Sequence, residues 1–219
     1  MNEESLSMAD FGAQLKCPSG KFAKEVADRM FQANENMIQQ TLLKLPFTKI
    51  ETLLEIGFGN GQHLIHLFNQ HPSIAYTGLD HSQAMLEQAQ RLLFETENSN
   101  AQLILGAADK NLPFPNNHFD SCFTVNTLYF MKNPSGVFKE IYRVLKEEAV
   151  FSMGFVEKTF GEKLPFTHEL FTFYPIEQLK EWLKRTGFKS IHADLQTESL
   201  PHPEINNYVR PFYVLSATK

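Results

Sequence analysis

Two cysteines, one tryptophan and no long apolar run are what this chain of 219 residues has to offer in the way of extremes. Cys17 and Cys122 stand far apart and fit neither a disulfide framework nor a metal-ligand spacing, which excludes a cysteine-stapled scaffold and a thiolate metal centre. No stretch approaches the roughly 18 consecutive apolar residues of a membrane span. The opening residues, Met1 to Gly12, are acidic and polar and carry neither the basic start nor the apolar core of a secretory signal. Together with reduced thiols this predicts a cytoplasmic protein. A cationic excess is also missing: 20 Lys plus Arg against 25 Asp plus Glu give a formal charge of −5, which repels a phosphate backbone and argues against nucleic acid as partner. Gly and Pro, eleven of each, are dispersed, so no linker or low-complexity segment divides the chain, and a single domain is expected.

What the chain does have is alternation of short apolar runs with amphipathic stretches, the pattern of an α/β fold with a parallel sheet. Thr52 to Gly57 reads as a first strand, Gln62 to Phe68 as a helix and Ala75 to Asp80 as a second strand; a unit of this length requires parallel pairing. Ser82 is a candidate cap for a helix whose Met85, Leu86, Ala89, Leu92 and Leu93 share one face. Further strands are predicted at Gln102 to Gly106, Phe119 to Asn126 and Val150 to Val156. Between the last two, Asn133 as cap and Pro134 in the first turn open a helix with the stripe Val137, Phe138, Ile141, Val144 and Leu145. A helix over Pro175 to Thr186, stopped by Gly187, precedes two closing strands, Phe188 to Leu195 and Tyr208 to Ala217. Their connection through Pro201 to Glu204 has no room for a crossover helix, so they are read as an antiparallel hairpin. Residues 21–45 read as a helix with Phe22, Val26, Met30, Met37 and Leu42 as candidate buried positions.

The motif with most chemical content is Glu55-Ile56-Gly57-Phe58-Gly59-Asn60-Gly61, placed where a buried strand turns into a helix. Glycines there permit positive φ and close approach of a ligand to the backbone. Asp80, ending the second strand, puts a carboxylate where it can accept the hydroxyls of a ribose lying across the strand ends. A tight turn and a helix cap account for the two features singly; together they point to a nucleoside. The third glycine comes one residue too early for the dinucleotide pattern, and an acid beside a pyrophosphate would be costly, whereas beside an ammonium and a sulfonium it is favourable.

In this arrangement Gly57-x-Gly59-x-Gly61 with Glu55 resembles motif I of the class I S-adenosylmethionine-dependent methyltransferases. The resemblance is closest to the ubiquinone/menaquinone-type small-molecule group, the methyltransferase type 11 domain. Gly78-Leu79-Asp80-His81-Ser82, followed by Met85 and Leu86, is similar to that group's second motif. Leu112 to Pro115 with Phe119-Asp120 is similar to its approach to the fourth strand, Val125-Asn126-Thr127-Leu128-Tyr129-Phe130 to the strand end beneath the methyl group, and Arg143-Val144-Leu145-Lys146 to the start of its turn into the fifth strand. Gln14 to Gly20, with Met30 and Asn34, resembles an amino-terminal lid. The resemblance implies S-adenosylmethionine as cofactor and a small-molecule acceptor. It implies a doubly wound seven-stranded mixed sheet in the order 3-2-1-4-5-7-6 with the last strand antiparallel, and a lid over 1–45 on a Rossmann-like core at 50–219. The cofactor residues it implies are Glu55, Gly57, Phe58, Gly59, Asn60, Gly61, Asp80, His81, Met85, Asn126 and either Ala108 through its backbone or Asp109.

Two departures stand out. The family's Gly-Asp-Ala before Leu-Pro-Phe is here Gly106-Ala107-Ala108-Asp109, with the acid one place later. The turn after Lys146 reads Glu147-Glu148-Ala149 where the family has Pro-Gly-Gly, from which altered local backbone is expected rather than lost binding. No catalytic residue is assigned, because in-line methyl transfer is supplied largely by proximity and alignment. Tyr129 and His168 are the acceptor-pocket candidates, with His81 a third group by location, and the acceptor is expected to enter over Tyr129 and residues 157–174. His168-Glu169 lacks the second histidine of a zinc-protease helix, and no metal site is predicted. Phenylalanines such as Phe151, Phe155, Phe160, Phe166, Phe171 and Phe173 read first as core and second as acceptor lining. Competing functions are a binding protein on the same fold without turnover and a nicotinamide-dependent oxidoreductase.

Overall fold

The computed structural model describes residues 6–95, 100–109, 111–167, 169–200 and 208–219. Their sheet is built from β1 (Thr52–Ile56), β2 (Ala75–Asp80), β3 (Ala101–Leu105), β4 (Phe119–Val125), β5 (Leu145–Val156), β6 (Lys189–Leu200) and β7 (Tyr208–Thr218). The spatial order is β3-β2-β1-β4-β5-β7-β6. The first five run parallel, while β7 lies antiparallel between β5 and β6. The helices are α1 (Met8–Lys16), α2 (Ala23–Leu42), α3 (Gln62–Gln70), α4 (Gln83–Glu95), α5 (Pro134–Val144), the short α6 (Lys158–Gly161) and α7 (Ile176–Thr186). This is the expected α/β order, and among the described residues no helix is long and apolar enough to cross a membrane.

Alternation along β1 explains why the sheet is covered on both sides. Leu53 joins a cluster with Leu64, Leu67 and Phe68 of α3, while Leu54 and Ile56 join a larger one with Val137, Phe138 and Ile141 of α5 and Leu179 and Leu183 of α7. Each of these side chains is almost wholly withdrawn from water, worth roughly 1.5–3 kcal/mol apiece relative to exposure. Local signals agree with this packing. The Asn133 side chain accepts from the Gly136 N–H at the start of α5, with Pro134 in its first turn, and Gly187 ends α7 at φ 117°.

Several expectations need adjustment. Strand β5 begins at Leu145, five residues before the predicted Val150, because the register against β4 shifts between Phe119 and Ser121 and absorbs the Glu147-Glu148-Ala149 segment. Glu148 takes φ 62° there, so the missing glycines leave a backbone residue in the left-handed region within a continuous strand. Strand β6 runs on to Leu200, α1 falls within the amino-terminal helical lid expected over 1–45, and α6 was not foreseen as a helix. The Pro201 to Glu204 connection lies outside the described residues.

Helix α2 lies on the sheet face that α3 and α4 cover, against β4, β5 and β7. Val26, Ala27 and Met37 are buried, while Phe22, Met30 and Leu42 are half-buried. Its middle is fastened to the β6–β7 pair by polar contacts: the Arg210 guanidinium donates to the Ala33 carbonyl at 2.5 Å and to Glu198 Oε1, and Asn36 Nδ2 donates to Glu198 Oε2 at 2.9 Å. That buried ion pair is closed by hydrogen bonds on both sides, which is what lets two charges sit out of water.

Candidate functional site

The loop after β1 is where the chain departs most from ordinary backbone. Gly57, Gly59 and Gly61 all have positive φ, between 58° and 81°. At Gly57 a Cβ would run into the Thr127 side chain, so this glycine is needed for the loop to lie against the end of β4. At Gly59 the reason is different: a Cβ would meet nothing within 4 Å, so its missing side chain leaves open space above the strand ends. That space belongs to a cavity of about 240 Å³ bounded by the carboxyl ends of β1, β2 and β4 and the segments after β3 and β4. Open parallel sheets hold ligands in such a crevice.

Asp80 is the electrostatic centre of this crevice. Its Oδ2 accepts from the Gly59 N–H and its Oδ1 from the Ser82 N–H, both at 2.9 Å, which fixes the carboxylate and leaves each oxygen a further lone pair. Burial pushes its pKa above the ordinary 3.8; the two backbone donors and His81 pull the other way without cancelling it, and the nearby Glu55 carboxylate adds to the rise. Glu55, two residues before Gly57, is equally buried, hydrogen-bonded to Tyr76 and to His63 Nε2.

The remaining sequence-predicted residues divide cleanly. Phe58, Asn60, His81, Met85, Ala108, Asp109 and Asn126 line the cavity with Glu55, Gly57, Gly59 and Asp80; Gly61 does not, its Cβ position being filled by Ala89 of α4. Both Ala108 and Asp109 border the space. Tyr129 stands behind it. Its ring is buried among Phe130, Phe171 and Phe173, and its hydroxyl donates to Asn126 Oδ1 at 2.8 Å and accepts from the Val156 N–H. Desolvation holds its pKa above that of a free phenol, and Tyr129 is not among the residues that line the cavity. His168 lies outside the described residues. No described residue of 157–174 lines the cavity, so the expected acceptor wall is corrected: this segment packs behind Tyr129 and Phe130, with Phe151, Phe155 and Phe173 in the core.

The wall that takes its place comes from the amino-terminal helices. Leu15, Lys16 and Pro18 follow from α1, and Ala27, Met30, Phe31, Asn34 and Ile38 from one face of α2. Leu15, Lys16 and Pro18 fall in the Gln14 to Gly20 segment that the sequence singled out with Met30 and Asn34; the other α2 residues, at spacings of three and four, were legible as the same helical face. Three polar ties hold this roof down. Ser82 Oγ donates to the Pro18 carbonyl at 2.7 Å, Asn126 Nδ2 donates to Asn34 Oδ1 at 2.9 Å, and Asp28 accepts from Asn60 and Gln62.

The comparisons with known proteins agree with this geometry. The sequence pattern of a methyltransferase domain family matches residues 54–153, which run from β1 through the loop, Asp80 and β4 into β5. This chain carries a class I S-adenosylmethionine-dependent methyltransferase domain. It is 26% identical over 199 residues to a malonyl-[acyl-carrier protein] O-methyltransferase of Geobacter sulfurreducens, covering 82% of this chain and 72% of that one. It is 26% identical over 169 residues to O-methyltransferase resE of Aspergillus sclerotiorum, covering 74% of this chain and 64% of the relative, less than two thirds of its length. Among solved structures it is similar to a methyltransferase of Thermotoga maritima described as a possible histamine N-methyltransferase. That match has a TM-score of 0.67 and 25% identity, and covers 91% of this chain and 97% of the other.

The cofactor of this methyltransferase family fits the residues present. A nucleoside needs open room over the loop, which Gly59 leaves, and an acceptor pair for its ribose, which Asp80 presents. A cation is favoured where two acids are buried close together, and Glu55 raises the pKa of Asp80 across the same cavity. No group of three or more His, Cys, Asp or Glu that could hold a metal occurs among the described residues.

Proposed function

We propose that this methyltransferase acts on a small-molecule acceptor with an apolar body, in the cytoplasm, as a single domain whose residues 1–45 roof the cofactor. S-adenosylmethionine, when bound, supplies an electrophilic methyl group on its sulfonium. The protein's part is to bind, orient and enclose. Asp80 accepts the ribose hydroxyls, Glu55 takes the positive charge of the amino-acid end, and Phe58, His81, Met85 and the Ala108-Asp109 segment flank the base. Asn126, locked at φ 54° by its N–H to Gly154 and by its side-chain bonds to Tyr129 and Asn34, holds the strand end against which the acceptor is aligned. Alignment of two reactants is by itself worth several kcal/mol of barrier.

One observation carries the acceptor class: the cavity wall outside the cofactor set is mainly apolar, with Met30, Phe31 and Ile38 of α2 and Phe130 and Met131 after β4, beside the polar Lys16, Asn34, Thr127 and Lys132. The acidic balance of the chain supports a partner other than nucleic acid. The two relatives named above are O-methyltransferases, which supports oxygen as the methylated atom. The test is to incubate the protein with S-adenosylmethionine labelled on the methyl and a fractionated cell extract. Label is expected in the organic-soluble small-molecule fraction. Label confined to protein or nucleic acid, or none released at all, would overturn this function.

A further inference from the structure

Glu55 carries more hydrogen bonding than a cofactor contact requires, and it carries it on one atom. The Tyr76 hydroxyl on β2 donates to Oε2, and His63 Nε2, in the first turn of α3, lies 2.8 Å from the same oxygen. Neither partner is free to drift. Tyr76 is 1% exposed and packs edge-on against Phe68, and the His63 ring stands edge-on to Phe123. Oε1 has no partner, yet Ser121 Oγ is the one buried side-chain oxygen or nitrogen without a hydrogen bond among the described residues. Oε1 is therefore not sealed in protein, and the space onto which Glu55 opens is the cofactor cavity. The carboxylate is a two-sided device, with one oxygen anchored by Tyr76 behind the cavity and by His63, which itself borders it, and the other presented to the ligand.

What that free oxygen meets follows from chemistry. Asp80 serves the nucleoside, so Glu55, one strand over, is left with the amino-acid end. The sulfonium has no hydrogen to donate, whereas the ammonium group has three. We propose that Tyr76 and His63 are positioning residues: by holding Oε2 they aim Oε1 at the cofactor's ammonium group, and so set the affinity for the amino-acid half of the molecule without touching the nucleoside half. This rests on the cofactor assignment above. It also gives a purpose to a buried Tyr–Glu–His set that the fold alone does not need, since three apolar side chains would pack at least as well there.

Two ligands separate the halves. S-adenosylhomocysteine carries the amino acid, and 5′-methylthioadenosine is the same thioether nucleoside without it. Titration calorimetry on the full chain is expected to show Tyr76→Phe binding S-adenosylhomocysteine about 5- to 20-fold more weakly, the loss typical of one charge-assisted hydrogen bond, with methylthioadenosine affinity unchanged. His63→Leu should do the same, and His63→Gln, which keeps a donor, should recover part of the loss. The His63 pair keeps the test open if Tyr76→Phe does not fold. Equal losses for both ligands would mean a general loosening of the site and overturn the proposal, as would no loss for either. A wild-type chain that binds neither ligand would instead overturn the cofactor assignment, and this proposal with it.

Discussion

The two ends of the central strands each carry a buried or half-buried aspartate, and the two have opposite electrostatics. At the amino end, Asp120 of β4 accepts from the Glu51 and Thr52 N–H groups, the Thr52 hydroxyl and Lys146 Nζ, all within 3.0 Å. Burial alone would raise its pKa, but the bonds from Lys146 and Thr52 outweigh it and hold it at about 2. Lys219 nearby is likewise surrounded, donating to Asn117 Oδ1 and the carbonyls of Tyr142 and Leu145. At the carboxyl end, Asp80 has backbone donors only and a second acid close by, and its pKa goes up. One end is finished in the absence of any ligand. The other sets two buried acids side by side, which suits it to a cationic ligand.

The largest effect should come from exchanging the roles of these aspartates. Asp80→Ala is expected to weaken S-adenosylhomocysteine binding by roughly 10- to 100-fold in calorimetry, the loss of hydrogen bonds to a charged group. Asp120→Ala should leave that affinity within twofold and instead lower stability by about 1–2 kcal/mol in urea unfolding. The pH dependences should diverge too. Asp120 has a depressed pKa, so its stabilising contribution is present above the ordinary value of 3.8 and fades as pH falls through about 2. Asp80 has a raised one, so on acidification it takes up its proton above pH 3.8, and cofactor affinity should begin to fall there while Asp120 is still ionised. Equal sensitivity of affinity to both substitutions would erase the contrast between the ends.

A smaller effect is expected within the glycine loop. Gly57→Ala forces a methyl into Thr127 and should lower stability by about 2–3 kcal/mol, whereas Gly59→Ala, with open space around it, should cost about 1 kcal/mol from its φ alone and act mainly on affinity. Circular-dichroism melting with and without S-adenosylhomocysteine distinguishes them. The smallest is at the amino end: Glu148→Gly relieves a left-handed non-glycine residue and should gain up to about 0.5 kcal/mol after the unfolded-state entropy of glycine is counted.

The contrast also explains what could be read in the sequence. The order of the sheet, the glycine loop and Asp80 were legible because each is a local rule: apolar period, turn chemistry, an acid at a strand end. The strand β5 boundary was not, since Glu147 and Glu148 look like a turn and lie in the register shift between the paired Leu145 and Val150 that the strand runs through. Tyr76 and His63 gave no signal, because a tyrosine in a strand and a histidine in a helix are unremarkable until Glu55 is seen between them. Tyr129 misled for the opposite reason: its position in a motif suggested the pocket, but its hydroxyl is used up by Val156 and Asn126. That residues 157–174 pack behind Tyr129 and Phe130 was not legible, because which segment covers a crevice is a matter of tertiary docking, not of spacing.

The roof over the crevice is tied at Ser82, Asn126, Asn60 and Gln62 by hydrogen bonds, beside the apolar packing of Ala27 and Met37. Such ties trade readily for bonds to water. A nucleoside enclosed beneath the roof is expected to exchange only when those ties open.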